Sequence, residues 1–407
     1  MGIPTDDQNQ VADRRTHQTR AAKMTVGLAL ALAPLAIWLY LIAAHGRFWR
    51  GLERDDRDPA PIPDSWPAVT VVIPARDEAD SIAASVGSLL RQDYPGPLAI
   101  ILVDDQSSDG TAAIAAQAAE GADHPLTIVF GRPLPGGWTG KVWAMQQGVA
   151  QAQEAPTRYL LFTDADIVYA PRVLRQLVAR AEAGHLVLTS LMVKLRCESL
   201  AERALIPAFV FFFQMLYPFS RVNRPSVKTA AAAGGCMLVE RQALRAAGGI
   251  EAIRGALIDD CALGKRLKTV GPVWLGLTQQ VTSLRPYRSF GDVRRMVARS
   301  AYHQLGYSPL LLAAIVAGLS VTFLAPPLLT AFAPGAGHLI GGLTWGLMAI
   351  AFQPTLRLYR LWPLWGLGLP IIAALYLSFT LDSAYQHRRG RGGLWKGRIQ
   401  ANVSGRP

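Results

Sequence analysis

The stretch 159-YLLFTDAD-166 decides the fold, because an apolar run of strand length ends there in two carboxylates. Further apolar runs of strand length lie at 69–74, 100–104, 126–130 and 186–193. Helical patterns separate them at 80–91, 111–120, 141–151 and 171–182. This alternation predicts an α/β fold with a mainly parallel sheet flanked by helices.

The composition indicates a chain with two different kinds of part. Of its 407 residues, 51% are hydrophobic and 17% are charged, which excludes a disordered protein. Three widely spaced cysteines exclude a disulfide scaffold and a four-thiolate zinc site. A formal net charge of +12 is compatible with a nucleic acid or a membrane surface as partner.

Apolar segments near both ends of the chain predict a membrane protein. After a polar tail at 1–23 that we expect to be disordered, the charge-free run in 24–45 is long enough to cross a bilayer. Its length favours an anchor over a cleaved signal peptide. Near the other end, 309–382 is expected to carry two or three transmembrane helices, because the glycine-rich segment 337–352 is short. A basic tail follows at 383–407.

Between these segments we expect a linker at 46–67 and a catalytic domain at 68–286. Two segments are predicted to lie at the membrane surface, the apolar 205–219 and a basic amphipathic helix at 287–308. The alternatives are a buried helix for the first and a solvated charged face for the second. Basic clusters beside apolar segments indicate a membrane, and no nucleic acid, as the partner of the positive charge.

Polar side chains follow the first two predicted strands, at the edge where ligands of parallel sheets bind. Arg76 and Glu78 follow the first strand, and Asp104 and Asp105 end the second. Two adjacent carboxylates repel each other and need hydrogen-bond donors. The base and ribose of a nucleotide would supply such donors.

The fourth strand ends in Asp164 and Asp166. In an extended chain, residues i and i+2 point to the same side, which would present two hard oxygen ligands together. This arrangement suits a divalent Mg or Mn ion that also binds substrate phosphates. Lys141, at the start of a predicted helix, would add its charge to a diphosphate site. The alternative is an ordinary surface lysine.

Two later motifs could complete such a site. Gly234 and Gly235 precede a strand and permit close backbone approach to a ligand. Asp259 and Asp260 open a helix, where acids often serve only capping and the helix dipole. The functional alternative is a general base that deprotonates an acceptor hydroxyl.

Together these motifs resemble the membrane-bound family 2 glycosyltransferases, which have the GT-A nucleotide-sugar fold. The shared elements, in chain order over about residues 69–305, are IPARDEA, VDDQSSDGT, GK with Trp138 nearby, FTDAD, GGCMLVER and DDCALGKRL. Within that family the chain is most similar to the hopene-associated glycosyltransferases, through WTGKVWA, LRCES, FFFQMLYPF and MVARSAYHQLGYSP. It is also similar to ceramide glucosyltransferase and to carotenoid glycosyltransferases.

The resemblance implies roles for the residues that match. Asp104 or Asp105 would contact a uridine, Asp164 and Asp166 would hold the diphosphate through the metal, and Asp260 would be the base. The other implied substrate-binding residues are Arg76, Glu78, Lys141, Gly234, Gly235, Asp259 and Arg295. The chain departs from the family's Q/R-x-x-R-W element, because 294–296 has arginines and no tryptophan.

The implied activity is inverting transfer of a sugar from a nucleotide diphosphate-sugar, UDP-linked, to a membrane lipid such as a hopanoid. The implied location is the inner (plasma) membrane, multi-pass, with the catalytic domain in the cytoplasm. The alternatives are a polyprenyl-phosphate glycosyltransferase and a noncatalytic membrane protein that binds nucleotide-sugars. The side of the carboxyl terminus stays open, because three crossings after the domain would put the basic tail outside, against the positive-inside tendency.

Overall fold

The structure is a computed structural model that describes Leu28, residues 30–154 and 156–389, and two short strands at 394–395 and 398–399. The predicted tail at 1–23, the start of the predicted anchor and most of the predicted basic tail lie outside the described residues.

An eight-stranded sheet forms the centre of the first part of the chain. Its strands are β1 (Val69–Ala75), β2 (Leu98–Asp104), β3 (Leu126–Phe130), β4 (Tyr159–Phe162), β5 (Ile167–Tyr169), β6 (Leu188–Lys194), β7 (Met237–Glu240) and β8 (Val273–Ser283). Their order across the sheet is β3-β2-β1-β4-β7-β6-β8-β5. Strands β3, β2, β1 and β4 are mutually parallel, whereas β7 runs antiparallel to both of its neighbours.

The helices that accompany the sheet are α2 (Ala79–Leu90), α3 (Thr111–Ala118), α4 (Gly140–Gln151), α5 (Val173–Ala183), α6 (Leu200–Leu216), α7 (Phe219–Val222), α8 (Arg241–Ala246) and α9 (Asp259–Leu267). The predicted alternation of strands and helices is therefore confirmed, with element ends within about two residues of the predicted ones. Strands β5 and β8 were not predicted, because β5 has three residues and β8 is interrupted by Gly276 and two glutamines.

Two hydrophobic cores cover the two faces of the sheet. Alternate residues of β1 point to opposite faces, so Val72 belongs to one core and Val71 and Ile73 to the other. Helix α4 covers the first face through Val142, and α2 covers the second through Ile82. The parallel strands thus end at one common edge, where the polar residues that follow them converge.

The predicted surface segment at 205–219 belongs to a longer helix that is mostly buried. Helix α6 contributes Ile206 and Val210 to the core of the sheet, and Leu205 and Phe211 to a third core made with the carboxyl-terminal helices. Its first turn has a capping box between Ser199 and Glu202. Protein therefore packs against two faces of this helix, and the membrane-surface segment at 205–219 stays a prediction.

The helices after the sheet are α10 (Phe290–Ala298), α11 (Ala301–Gln304), α12 (Pro309–Leu319), α13 (Ala325–Phe332), α14 (Ala336–Leu358) and α15 (Leu369–Arg388). A π-helical turn, Ser320–Leu324, joins α12 to α13, and a 3-10 turn, Pro363–Gly368, precedes α15. In the described part of the chain, four segments are long and apolar enough to cross a membrane: Leu200–Val222, Pro309–Phe332, Ala336–Leu358 and Pro363–Arg388.

Most of the predicted anchor is described, from residue 30 onwards, together with Leu28. Helix α1 (Leu30–Ala43) places Trp38 in the third core, where its indole N–H donates to the Thr322 carbonyl at 2.8 Å. Directly after α1, the His45 ring contacts the Met215 carbonyl at the end of α6. The end of α1 therefore lies beside the catalytic domain.

One glycine in α4 is required by its packing against β1. A Cβ atom at Gly148 would overlap Val72, whereas one at Gly136, in the loop before α4, would meet open space. We expect Gly148→Ala to destabilise the fold by roughly 1–3 kcal/mol and Gly136→Ala to have little effect. Thermal unfolding in detergent measures the difference, and equal melting temperatures would contradict the described α4–β1 contact.

Candidate active site

The first group of site residues lies where β1 and β2 end. Asp105 is fully buried, and its carboxylate lies 3.9 Å from the Arg76 guanidinium. The same guanidinium donates to the backbone carbonyls of Asp105 and Gln106. Asp104 accepts a hydrogen bond from the Ser107 N–H at 3.0 Å. The predicted need of these carboxylates for donors is therefore met, at least in part, by the protein itself.

Arg76 has one polar atom that could serve a ligand. Its Nε lies buried with no hydrogen-bond partner among the described residues. Because a buried donor without an acceptor costs free energy, a ligand carbonyl or phosphate oxygen at this point would be favourable.

Lys141 links three elements of the site. It lies in the first turn of α4, and its Nζ is 2.8 Å from Asp164 Oδ1, after β4, and 3.0 Å from Asp259 Oδ2, in the first turn of α9. Burial opposes its charge, but Asp164 and Asp259 outweigh burial and raise the pKa of Lys141 above its usual value. The lysine therefore stays charged, and the alternative of an ordinary surface lysine is wrong.

Asp260 lies beside this ion-pair cluster. Its Oδ2 accepts from the Gly234 N–H at 2.9 Å, and its Oδ1 accepts from the Cys261 N–H at 2.7 Å. Burial, with the neighbouring charge of Asp259, raises the pKa of Asp260 to about 6. A carboxylate with such a pKa accepts a proton more readily than an ordinary surface aspartate does.

The two predicted glycines differ in their surroundings. A Cβ atom at Gly234 would lie 3.3 Å from both Asp260 Oδ2 and Lys141 Nζ, so this glycine belongs to the charged cluster. A Cβ at Gly235 would lie 2.7 Å from Val193, which gives a packing reason for that glycine. The Gly235 carbonyl accepts hydrogen bonds from Thr163 and Tyr169.

A third cluster joins the ends of β4 and β8. Arg285 Nε lies 3.0 Å from Asp166 Oδ2, and Arg285 Nη2 lies 2.8 Å from Glu78 Oε1. Ser283 also donates to Asp166 at 3.0 Å. Sequence analysis did not name Arg285 as a site residue. Its position just after the unpredicted strand β8 was the signal that could have identified it.

The geometry assumed for Asp164 and Asp166 was also wrong. Strand β4 ends at Phe162, and the Ile167 N–H donates to the Asp164 carbonyl at 3.3 Å. The two aspartates therefore lie in a turn instead of an extended chain, and each has its own cationic partner. Asp166 is mostly buried, whereas Asp164 is 37% exposed.

Asp164 and Asp166 fit a divalent cation that is shared with a ligand. Within the described ranges, no group of three or more His, Cys, Asp or Glu side chains could enclose a metal by itself. Mg and Mn ions, however, are commonly held by one or two carboxylates together with substrate phosphates. The charge of Asp166 contributes to raising the pKa of Asp164, after the larger effect of burial, which indicates that the two carboxylates are close.

Arg295 is the one predicted site residue that the structure does not bring to this edge. Its guanidinium pairs with Asp292 on the same helix, α10, and its side chain is 70% exposed. The neighbouring Arg294 pairs instead with Asp382 on α15, at 3.5 Å.

The Arg285 bridge should compete with a metal for Asp166. We expect Arg285→Ala to lower stability by about 1 kcal/mol without metal, because Glu78 and Asp166 lose their shared cation. Added Mn ions should restore more stability to this variant than to Arg175→Ala, whose partner Asp93 is outside the site. Thermal shift with and without Mn measures both effects, and equal metal responses would contradict the assignment of Asp166 as a ligand.

Comparison with known proteins agrees with this fold. Residues 70–248 match the model of the glycosyl transferase family 2. Over 103 residues, the chain is 33% identical to 4,4'-diaponeurosporenoate glycosyltransferase of Staphylococcus aureus strain MRSA252, and equally identical to that of strain USA300. The aligned part is 25% of this chain and spans about a quarter (24%) of those curated relatives.

One solved structure covers nearly the whole chain. A mannosyltransferase from Pyrobaculum calidifontis, in complex with GDP-Man and Mn2+, superposes with a TM-score of 0.56 at 18% identity. The match covers 90% of this chain and 99% of that one. At this identity the likeness shows the fold alone, and it confirms the predicted GT-A architecture. The chain therefore has the GT-A fold, and its residues 70–248 are similar to the glycosyl transferase family 2 domain.

Proposed function

We propose that this protein is an inverting glycosyltransferase that moves a sugar from a nucleotide diphosphate-sugar to the hydroxyl group of a membrane lipid. The observation that carries the proposal is the convergence of three features at one edge of a GT-A sheet. They are the ion-paired Lys141, the turn carboxylates Asp164 and Asp166, and the half-buried Asp260, whose pKa is raised. The donor nucleotide is proposed to be uridine, and the acceptor a hopanoid, from the family resemblance.

The donor would lie along the carboxyl ends of β1, β2 and β4. The Nε of Arg76, which lies 3.8 Å from Asp77 Oδ2 and has no hydrogen-bond partner among the described residues, offers a donor near the buried Asp104–Asp105 pair, where a nucleoside would sit. Lys141 supplies a fixed positive charge for the diphosphate. The Pyrobaculum relative of this fold holds GDP-Man and Mn2+, which supports a nucleotide-sugar and a divalent cation as ligands here.

Asp164 and Asp166 would hold that divalent cation, which would offset the charge that develops on the departing diphosphate. Lys141 and Arg285 now neutralise these carboxylates. Both cations would turn toward the added phosphates when donor binds, so the charge of the site would stay balanced.

Asp260 is proposed as the general base. It would take the proton from the acceptor hydroxyl while the oxygen forms its bond to the anomeric carbon and the carbon–diphosphate bond breaks. The N–H groups of Gly234 and Cys261 fix both oxygens of this carboxylate, which orients it for a single proton transfer.

A lipid acceptor fits the position of the site beside apolar helices. Tyr217, at the end of α6, adjoins Cys261, next to the proposed base, and its neighbour Leu216 is 54% exposed. The curated relative named for 4,4'-diaponeurosporenoate supports a lipid-type acceptor. We propose that the protein resides in the plasma membrane with this domain in the cytoplasm, where nucleotide-sugars are made.

The base assignment is tested by Asp260→Asn. Because an amide cannot accept the proton, we expect transfer to fall by at least about 100-fold while donor affinity stays within a few-fold of wild type. Transfer of labelled sugar to lipid and binding of the nucleotide measure the two properties. Asp93→Asn, on the protein surface, is the matched control and should behave as wild type.

Full activity of Asp260→Asn would overturn the base assignment. It would favour a polyprenyl phosphate as acceptor, since an acceptor that is already anionic needs no base.

The raised pKa of Asp260 also predicts a pH dependence. The base works when deprotonated, so kcat/KM should rise from pH 5 and level off above about pH 7, with its midpoint near the pKa of about 6. The pH profile of transfer at low acceptor concentration measures this midpoint. A flat profile between pH 5 and 7 would show that Asp260 does not titrate in the free enzyme.

A further inference from the structure

The last apolar segment, Pro363–Arg388, has the length of a membrane span, but its contacts describe a hairpin. We propose that this segment enters the lipid leaflet nearest the catalytic domain, turns at Leu367–Leu369, and returns to the same side without crossing. The proposal concerns the surface that meets the lipid and does not depend on the proposed sugar chemistry.

The first arm of the hairpin runs back along α14. Gln353 donates to the Pro363 carbonyl at 3.0 Å, and Trp345 donates to the Leu367 carbonyl at 3.1 Å. From position 353 to 345 is eight residues of helix, or roughly 12 Å. The 3-10 turn therefore descends along α14, away from the end of that helix at Leu358.

The end of α14 marks the catalytic-domain side. Leu358 and Tyr359 belong to the core of the sheet, and Lys194 at the end of β6 lies over the Tyr359 ring at 5.9 Å. Residues 363–368 thus begin close to the catalytic domain and move away from it.

The second arm, α15, comes back. Halfway along it, the Tyr376 hydroxyl donates to the Leu205 carbonyl of α6 at 2.8 Å. The start of α6 is held by Ser199 donating to the Tyr287 carbonyl, and the short helix α7 that follows α6 is held by Asn223 pairing with Leu275 of β8. Only eight residues of α15, 369–376, or about 12 Å of helix, lie between the turn and the contact with Leu205, which is too short to cross a bilayer core of ~30 Å.

The carboxyl end of α15 packs on helices that follow directly from the catalytic domain. Ser383 donates to the Ala298 carbonyl and accepts from the Tyr302 N–H. The His387 ring stacks on Tyr307, with centroids 4.1 Å apart. Helix α15 therefore ends at Arg388 on the catalytic-domain side.

Irregular backbone inside a membrane needs hydrogen-bond partners from the protein, because no water is present to bind its carbonyls. The backbone of this turn has such partners. The indole of Trp345 and the amide of Gln353 satisfy two carbonyls of the 3-10 turn. Gly366 permits the contact, because a Cβ there would lie 2.7 Å from Gln353 and 2.9 Å from the Ala349 carbonyl.

The outer face of the hairpin fits lipid. Trp362, Leu364, Leu367 and Ile371 are exposed, Ile371 by 71%. They continue the exposed apolar surface of the neighbouring candidate spans, which includes Leu339 and Ile350 of α14. The arrangement also places Arg388 and Arg389 on the catalytic-domain side, in agreement with the positive-inside tendency.

The test uses single cysteines in the full chain, with Cys197, Cys236 and Cys261 replaced, and a maleimide that cannot pass the membrane. Ala122→Cys reports the catalytic domain, Ala336→Cys the turn between α13 and α14, and Arg389→Cys the end of α15; all three positions are exposed. In intact cells we expect Ala122→Cys and Arg389→Cys to be labelled only after permeabilisation, and Ala336→Cys to be labelled before it.

Labelling of Arg389→Cys from the same side as Ala336→Cys would overturn the proposal. Should the cysteine replacements unfold the protein, protease access to a carboxyl-terminal epitope on the unaltered chain reports the same side, with the same two outcomes.

The turn itself has a matched pair of glycines. A Cβ at Gly366 would press on α14, whereas one at Gly368 would meet no atom within 4 Å. Gly366→Ala should lower the melting temperature in detergent and Gly368→Ala should leave it unchanged. Equal effects of the two changes would contradict the packing of the turn against α14.

Discussion

The ion pairs of Lys141 with Asp164 and Asp259 are the interaction on which the site depends. They join the start of α4, the turn after β4 and the start of α9, which lie far apart in the chain. Three buried or half-buried charges at one point are stable only when each has an opposite partner. The cluster therefore fixes where α9 begins, and with it the position of the adjacent Asp260.

The same principle governs the other half of the site. Arg285 bridges Asp166 and Glu78, and so connects the end of β8 to the ends of β4 and β1. Together the two cations hold four carboxylates at the edge of the sheet. When a diphosphate and its metal ion arrive, the two cations would pair with the phosphates and the carboxylates would pair with the metal. Each charge would then still face an opposite charge.

Most of the sheet and its flanking helices could be predicted from the sequence, because apolar runs and their spacing are local properties. Candidate site residues could be identified from the sequence where they end or follow a strand, as Asp104 and Asp164 do, or where they open a helix, as Asp260 does. Arg285 lies 119 residues from Asp166, and only the pairing of β8 brings it there. The extended geometry expected for Asp164 and Asp166 failed because the chain turns immediately after β4.

Hydrophobicity alone gave an incomplete account of the apolar segments. Helix α6 is apolar on nearly all sides because it separates two protein cores, and Pro363–Arg388 is apolar because a hairpin also needs a lipid-compatible surface. Length and composition do not determine whether such a segment crosses the membrane or packs against protein. Tertiary hydrogen bonds, such as that from Tyr376 to Leu205, supply this information.

The central claim is that this edge of the sheet transfers sugar to lipid. Membranes containing the protein, incubated with labelled nucleotide-sugars and a total lipid extract, test it directly when the label is followed into the organic phase. The account predicts that one nucleotide-sugar labels a lipid, that chelation of divalent cations stops the reaction, and that Asp166→Asn prevents it. Labelled lipid that forms equally well after chelation and in the Asp166→Asn protein would contradict the account.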